Sequence, residues 1–288
     1  MPHANAGVYR TRLSATRITA LVDGVIDVGL DVVTNVSAAE AEAELAGVFS
    51  LPPRIIVSAF LAERGERRIL VDAGSGFLFG PAHGQMAGRL HALGVAPESI
   101  GAILVTHAHI DHIGGLVDAE GRAVFGAAEV VLHEAEAGFW LDAAREKAAG
   151  EAKRELFATA HRGLDPYRAR IRTVRDGEAA LPGVFAEPLP GHTPGHCGWR
   201  FVDGGEEMAI VGDLVHLPGL QFARPDAGMI YDVDGAAARE SRSGLLARAA
   251  RSRMRVAGAH LDFPPFGAVA RRGAGFAFVP EVWRPTAD

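Results

Sequence analysis

The chain has 288 residues, 48% of them hydrophobic, and a formal net charge of −6. That length and apolar content suffice for one large core, and the acidic balance with interspersed signs excludes an extended basic surface for nucleic acid. The single cysteine, Cys197, rules out an intrachain disulfide, and no window approaches the ~18 uninterrupted apolar residues of a membrane span. The first seven residues, Met1 to Gly7, lack the apolar core of a signal peptide, so a cytoplasmic protein is expected. No repeat or polar linker divides residues 1–288, which read as one domain of two similar halves, the second starting between Asp165 and Pro190.

In chain order, residues 17–23 alternate as a strand, Asp23-Gly24 reads as a turn, and 26–28 resume extended chain. Ser37 with Glu40 three residues on is a capping-box pattern that opens a helix over 37–46. Residues 55–62 and 68–72 read as paired strands. They lead into Asp72-Ala73-Gly74, where Asp72 is either a turn former or a brace for a neighbouring loop. A helix over 85–93, closed by Gly94, precedes an apolar strand over 100–105.

That strand ends in Thr106-His107-Ala108-His109-Ile110-Asp111-His112. His107 and His109 are two apart, so extended backbone turns both imidazoles to one side, toward a common ion. A helical turn after His109 would aim Asp111 and His112 elsewhere, at a second ion. Beyond it, 129–132 reads as a strand, 133–142 as a helix and 143–163 as a helical surface excursion. Residues 171–174, 184–188, 199–202 and 208–211 read as one meander of short strands. Residues 236–250 form a helix, and the arginine-rich stretch from Arg239 to Arg255 is expected to be its solvated face. A strand over 255–259 then delivers His260. Taken singly, His192 in its Pro/Gly-rich loop, Asp213 after Gly212, and His260 read equally as structural residues.

Together, H-x-H-x-D-H after an apolar strand, then His192, Asp213 and His260 in that order, resemble the metallo-β-lactamase fold superfamily over about residues 18–278. The resemblance implies a four-layered αββα sandwich of mixed α/β class. It also implies two divalent cations: His107, His109 and His192 hold the first, Asp111, His112 and His260 the second, and Asp213 bridges them. Zinc is the default for such a nitrogen and oxygen donor set, with manganese, iron or cobalt as alternatives. Paired cations lower the pKa of a shared water toward ~7 and make it the nucleophile, and Asp111 is the best placed proton shuttle.

The runs Gly212 to His216, Gln221-Phe222, Tyr231 to Asp234 and Ala259 to Pro264, with Ala137 to Trp140, resemble the methyl parathion hydrolase branch, which is similar to the N-acyl-homoserine lactonases. The implied substrates are small-molecule lactones, aryl esters or organophosphate triesters, with no nucleic-acid or membrane partner, and the implied assembly is a homodimer. Homoserine lactonases carry a tyrosine a few residues after the bridging aspartate, and here His216 stands nearby instead. A thioesterase of the glyoxalase II type is a further alternative. Trp140, His216, Phe222, Phe77 and Phe79 are the candidate pocket residues.

Overall fold

The computed structural model describes residues 7–282. The leader reading above falls, Gly7 apart, outside them. The first half runs through β1 (Val8–Leu13), β2 (Thr16–Asp27), β3 (Val33–Thr34), β4 (Arg54–Arg64), β5 (Arg67–Val71), β6 (Ala102–Leu104), β7 (Glu129–His133) and β8 (Ile171–Val174). All but β3 form one sheet in the order β1-β2-β4-β5-β6-β7-β8. The second half supplies β9 (Ala179–Leu181), β10 (Val184–Pro188), β11 (Cys197–Asp203), β12 (Glu206–Ile210), β13 (Gly228–Met229), β14 (Arg255–Ala257), β15 (Phe266–Arg272) and β16 (Gly275–Pro280). These make a second sheet, β16-β15-β14-β12-β11-β10-β9, while β13 pairs with β3 in a small ribbon.

Strand periodicity explains why both sheets are buried on two faces. In β5, Ile69 and Val71 point at the other sheet and Leu70 at the helices outside. In β7, Val131 faces inward and Val130 and Leu132 outward, and in β12 Met208 and Ile210 alternate with Ala209 in the same way. Alternation with apolar residues on both faces reads in sequence as a continuous apolar run. Phe60, Leu104, Trp199 and Phe266 fill the space between the sheets. Each such fully buried side chain contributes roughly 1.5–3 kcal/mol.

The helices are α1 (Ala38–Gly47), α2 (Gln85–Ala92), α3 (Ile110–Ile113), α4 (Glu134–Trp140), α5 (Ala143–Ala148), α6 (Glu151–Leu164), α7 (Pro218–Gln221) and α8 (Gly235–Ser252). Met86 and Leu90 of α2, Trp140 of α4 and Phe157 of α6 cover the outer face of the first sheet. Leu245, Leu246 and Ala249 of α8 cover that of the second. The result is the four-layered αββα sandwich. The capping box at α1 forms as expected, with Ser37 Oγ accepting from Glu40 N–H and Glu40 reaching back to Ser37 N–H.

Four expectations need correction. Asp23-Gly24 is no turn: β2 continues through it with a bulge, and the buried Asp23 carboxylate accepts from the N–H groups of Ser75, Gly84 and Met86. Residues 171–174 do not join the meander but pair in parallel with β7 in the first sheet. The excursion at 143–163 is two helices, broken where Gly150 caps α6. The arginine stretch is not uniformly solvated. Arg242 is 1% exposed, and its guanidinium donates to the carbonyls of Leu214, Pro225 and Ala227, closing three backbone acceptors of a loop with no partner strand. Strands β1, β3, β9, β13, β15 and β16 were not anticipated at all.

Strands β5, β6 and β7 run parallel, as do β12 and β14. The loops that leave their carboxyl ends therefore gather at one edge of the sandwich, where an α/β sheet offers a crevice.

Candidate metal centre

Those loops bring seven predicted side chains together. The loop after β6 carries His107 and His109, and His109 stands at the N-cap position of α3, whose single turn carries Asp111 and His112, with the His112 ring 4.1 Å from that of His107 between centroids. The turn between β10 and β11 adds His192, the end of β12 adds Asp213, and the end of β14 adds His260. Two glycines make the approach feasible. Gly191, at φ +129°, lies where a Cβ would run into the backbone of Ala237 and Ala238, and Gly212, at φ +50°, where it would meet Thr106 and His196.

The seven fall into two clusters on either side of Asp213. His107 Nε2 lies 3.0 Å from His109 Nδ1, and His192 Nε2 lies 2.9 Å from the same atom. Asp213 Oδ2 is 3.6 Å from His107 Nε2 and 3.2 Å from His192 Nε2. The other oxygen, Oδ1, is 2.9 Å from His112 Nε2 and 3.0 Å from His260 Nε2. Asp111 Oδ2 stands 3.6 Å from both of those nitrogens. One carboxylate thus turns one oxygen to each cluster.

The donor set fits metal ions. Imidazole and carboxylate without thiolate suit a borderline divalent cation, and each cluster's atoms lie within 4.8 Å of one another. His112 Nε2 and Asp213 Oδ1, both buried, take part in no hydrogen bond although only 2.9 Å separates them. Orphaned polar atoms so deep are costly, and a cation held between these side chains would satisfy them.

The protonation tendencies are those of a mutually compensated cluster. Burial drives His107 far below its ordinary value and His109 down to about 3. Burial also pulls on His192, but the carboxylates of Asp213 and Asp232 together outweigh it and lift the group to about 9. For Asp111 and Asp213 burial opposes ionisation, but the surrounding histidines, His112 foremost with His260, together override it, so both stay well below the usual carboxylate range.

A second layer fixes several of these rings. Asp72, held at φ +60°, accepts from Thr106 N–H at 2.8 Å and Thr106 Oγ1 at 2.9 Å, and sits 2.8 Å from His112 Nδ1. Of its two sequence readings, the brace is the one observed. Asp232 Oδ1 holds His192 Nδ1 at 3.0 Å, and the Ile56 carbonyl holds His260 Nδ1 at 2.7 Å. His196 donates from Nδ1 to the Leu189 carbonyl and accepts the Asp213 N–H at Nε2, which fixes its tautomer. Such partners orient ligands and raise their basicity.

Above the clusters opens a cavity of about 570 Å³, with Asp111, Asp213 and His260 on its floor and Trp140, Phe157 and Ile230 among its walls. Trp140, His216 and Phe79 line it as expected, and Phe77 does not. Phe222 is a correction. It is 3% exposed and packs on Phe278, 5.4 Å between ring centroids, in the core beneath α8, because the short helix α7 turns it inward. Sequence reasoning missed Glu136, Ile230, Lys153 and the bracing role of Asp232. A carboxylate four residues before a tryptophan on an apolar helix face was the available signal for Glu136.

The family model for the Metallo-beta-lactamase superfamily matches residues 52–260, and the chain belongs to that superfamily. It is similar to the crystal structure of AbOPH, a hydrolase of the beta-lactamase superfamily, at 29% identity and TM-score 0.91, covering 96% of this chain and 98% of that one. AidC, a dizinc quorum-quenching lactonase solved with a product, matches at 26% identity and TM-score 0.89 over 96% and 98% of the two chains. A probable metal-dependent hydrolase from Staphylococcus aureus shares the fold at 17% identity and TM-score 0.74, over 87% and 91%. The family, these hydrolase relatives and the His/Asp clusters make this chain a metal-dependent hydrolase with a site fit for two metal ions. Among the described residues, no helix is long and apolar enough to cross a membrane.

Proposed function

We propose that the chain hydrolyses small lactones, aryl esters or phosphotriesters at a dinuclear zinc centre. In this reading His107, His109 and His192 hold one cation, Asp111, His112 and His260 the other, and Asp213 both. The divided carboxylate of Asp213 at the floor of an apolar cavity carries the proposal. When bound, two divalent cations supply an ionised water at neutral pH and withdraw charge from the oxygen under attack.

The chain's own residues do the rest. Asp111, partly open to the cavity, takes the proton given up by the attacking water and passes it to the departing oxygen. The apolar walls exclude water and hold the substrate's acyl or aryl arm, which strengthens every electrostatic contact on the floor. His216 Nε2, 3.1 Å from Asp213 Oδ2, reinforces the bridging carboxylate from the cavity side.

A narrower reading, an N-acyl-homoserine lactonase, is favoured by one observation. Tyr231, far along the chain from Asp213, lines the same cavity with its ring 6.0 Å from that of His216. A phenol there can donate to a substrate carbonyl. The test is a metal-replete panel of lactones, aryl esters, phosphotriesters and thioesters ranked by kcat/KM. The expected order puts the first three above thioesters, and a dominant thioester activity contradicts the proposal.

A further inference from the structure

Glu136 lies on α4, is fully buried, and is no member of either cluster. Its two oxygens accept four hydrogen bonds. Oε1 takes Ala108 N–H at 2.9 Å and Trp140 Nε1–H at 2.6 Å. Oε2 takes Thr193 Oγ1–H at 2.7 Å and Gly195 N–H at 3.1 Å. Every partner donates, which matches an acceptor-only carboxylate with its four lone-pair positions filled.

The identity of those donors is the point. Ala108 sits between His107 and His109. Thr193 follows His192. Two loops from different sheets, which share the first cluster between them, are thus pinned to one side chain. Trp140, the third tie, packs edge-on against the His109 ring, 5.7 Å between centroids and 73° between planes, and lines the cavity. The second cluster relies on other anchors, Asp72 for His112 and the Ile56 carbonyl for His260.

We propose that Glu136 is a positioning residue of the centre: it sets the separation of the His107/His109 and His192 loops for the first cation and aims Trp140 into the cavity. The inference rests on the metal-ligand reading above. A Glu136→Gln change keeps the shape but presents an NH2 group to a shell made only of donors. Thr193 can turn its hydroxyl to accept, whereas Gly195 or Ala108 N–H cannot adapt. The first cluster then loosens while the second keeps its braces.

The test is a graded chelator titration of the zinc-loaded protein, followed by metal content per chain. Wild type should release two equivalents, and the step that His260→Ala abolishes identifies the second cluster. In Glu136→Gln the first cluster's step should move to weaker chelation by about 10–100-fold, with the second within about twofold. A residue that only supports the fold would lower the melting temperature and shift both steps alike or neither, and either result overturns the proposal. Should Glu136→Gln not fold, Thr193→Val and Trp140→Phe each delete one tie and should shift the same step by a smaller factor; no selective shift in either overturns it equally. Wild type that binds no cation at all would instead sink the ligand reading itself, so the two failures are distinguishable.

Discussion

The cavity joins two regions built on opposite principles. Its floor is a lattice of named partners. His112 leans on Asp72, His192 on Asp232, His260 on the Ile56 carbonyl, and Asp213 faces both clusters at once. Its walls are mainly apolar surfaces held by packing, apart from the bond that ties Trp140 to Glu136, and part of that surface is open to solvent, with Ile230 at 57% and Leu156 at 45% exposure. A hydrogen-bonded floor fixes geometry to a fraction of an ångström, while an apolar wall tolerates changes of shape. The chemistry is therefore rigid and the choice of substrate adjustable.

That contrast can be broken first at its strongest point. Asp213→Ala removes the one group shared by both clusters. Metal content should fall from two equivalents toward zero and kcat/KM by more than the ~100-fold typical of a lost outer partner. Asp111→Asn comes next: kcat should drop by about 10²–10⁴-fold with KM far less affected, as befits a proton shuttle. Unchanged turnover would remove Asp111 from that role. Asp232→Ala leaves all ligands present but frees His192 Nδ1, and should weaken cation binding by about 10–100-fold in isothermal titration.

The walls should respond differently. Ile230→Ala should leave metal content and kcat on a small ester intact. It should raise KM for substrates with longer apolar arms by about 10-fold, the scale of a few methylenes in an apolar pocket. A fall in metal content in that variant would show that wall and floor are not separable.

The same division decides what could be read from the sequence. Four members of the clusters were legible from local spacing, His107, His109, Asp111 and His112, whereas His192, Asp213 and His260 were legible only through the resemblance that those four carry. The sandwich followed from short apolar strands and from the resemblance those residues carried. Phe222 was not legible, because which way an aromatic faces depends on the turn of α7, four residues that no periodicity describes. Arg242 looked like one more charge on a solvated helix, and only the neighbouring loop's three carbonyls account for its burial. Asp23-Gly24 carries turn chemistry in its residue types, yet the register of β2 against β4 absorbed it as a bulge. The Arg242 and Asp23-Gly24 cases turn on partners distant in sequence.

The central claim is that one carboxylate, Asp213, stands between two cations. Anomalous diffraction at the zinc edge, from crystals of metal-loaded protein, addresses it directly. The account predicts two peaks ~3.5–4 Å apart that flank the Asp213 carboxylate. One should lie ~2.0–2.1 Å from His107 Nε2 and His192 Nε2, the other at that distance from His112 Nε2 and His260 Nε2. A lone peak, or none, at the floor of the cavity would contradict it.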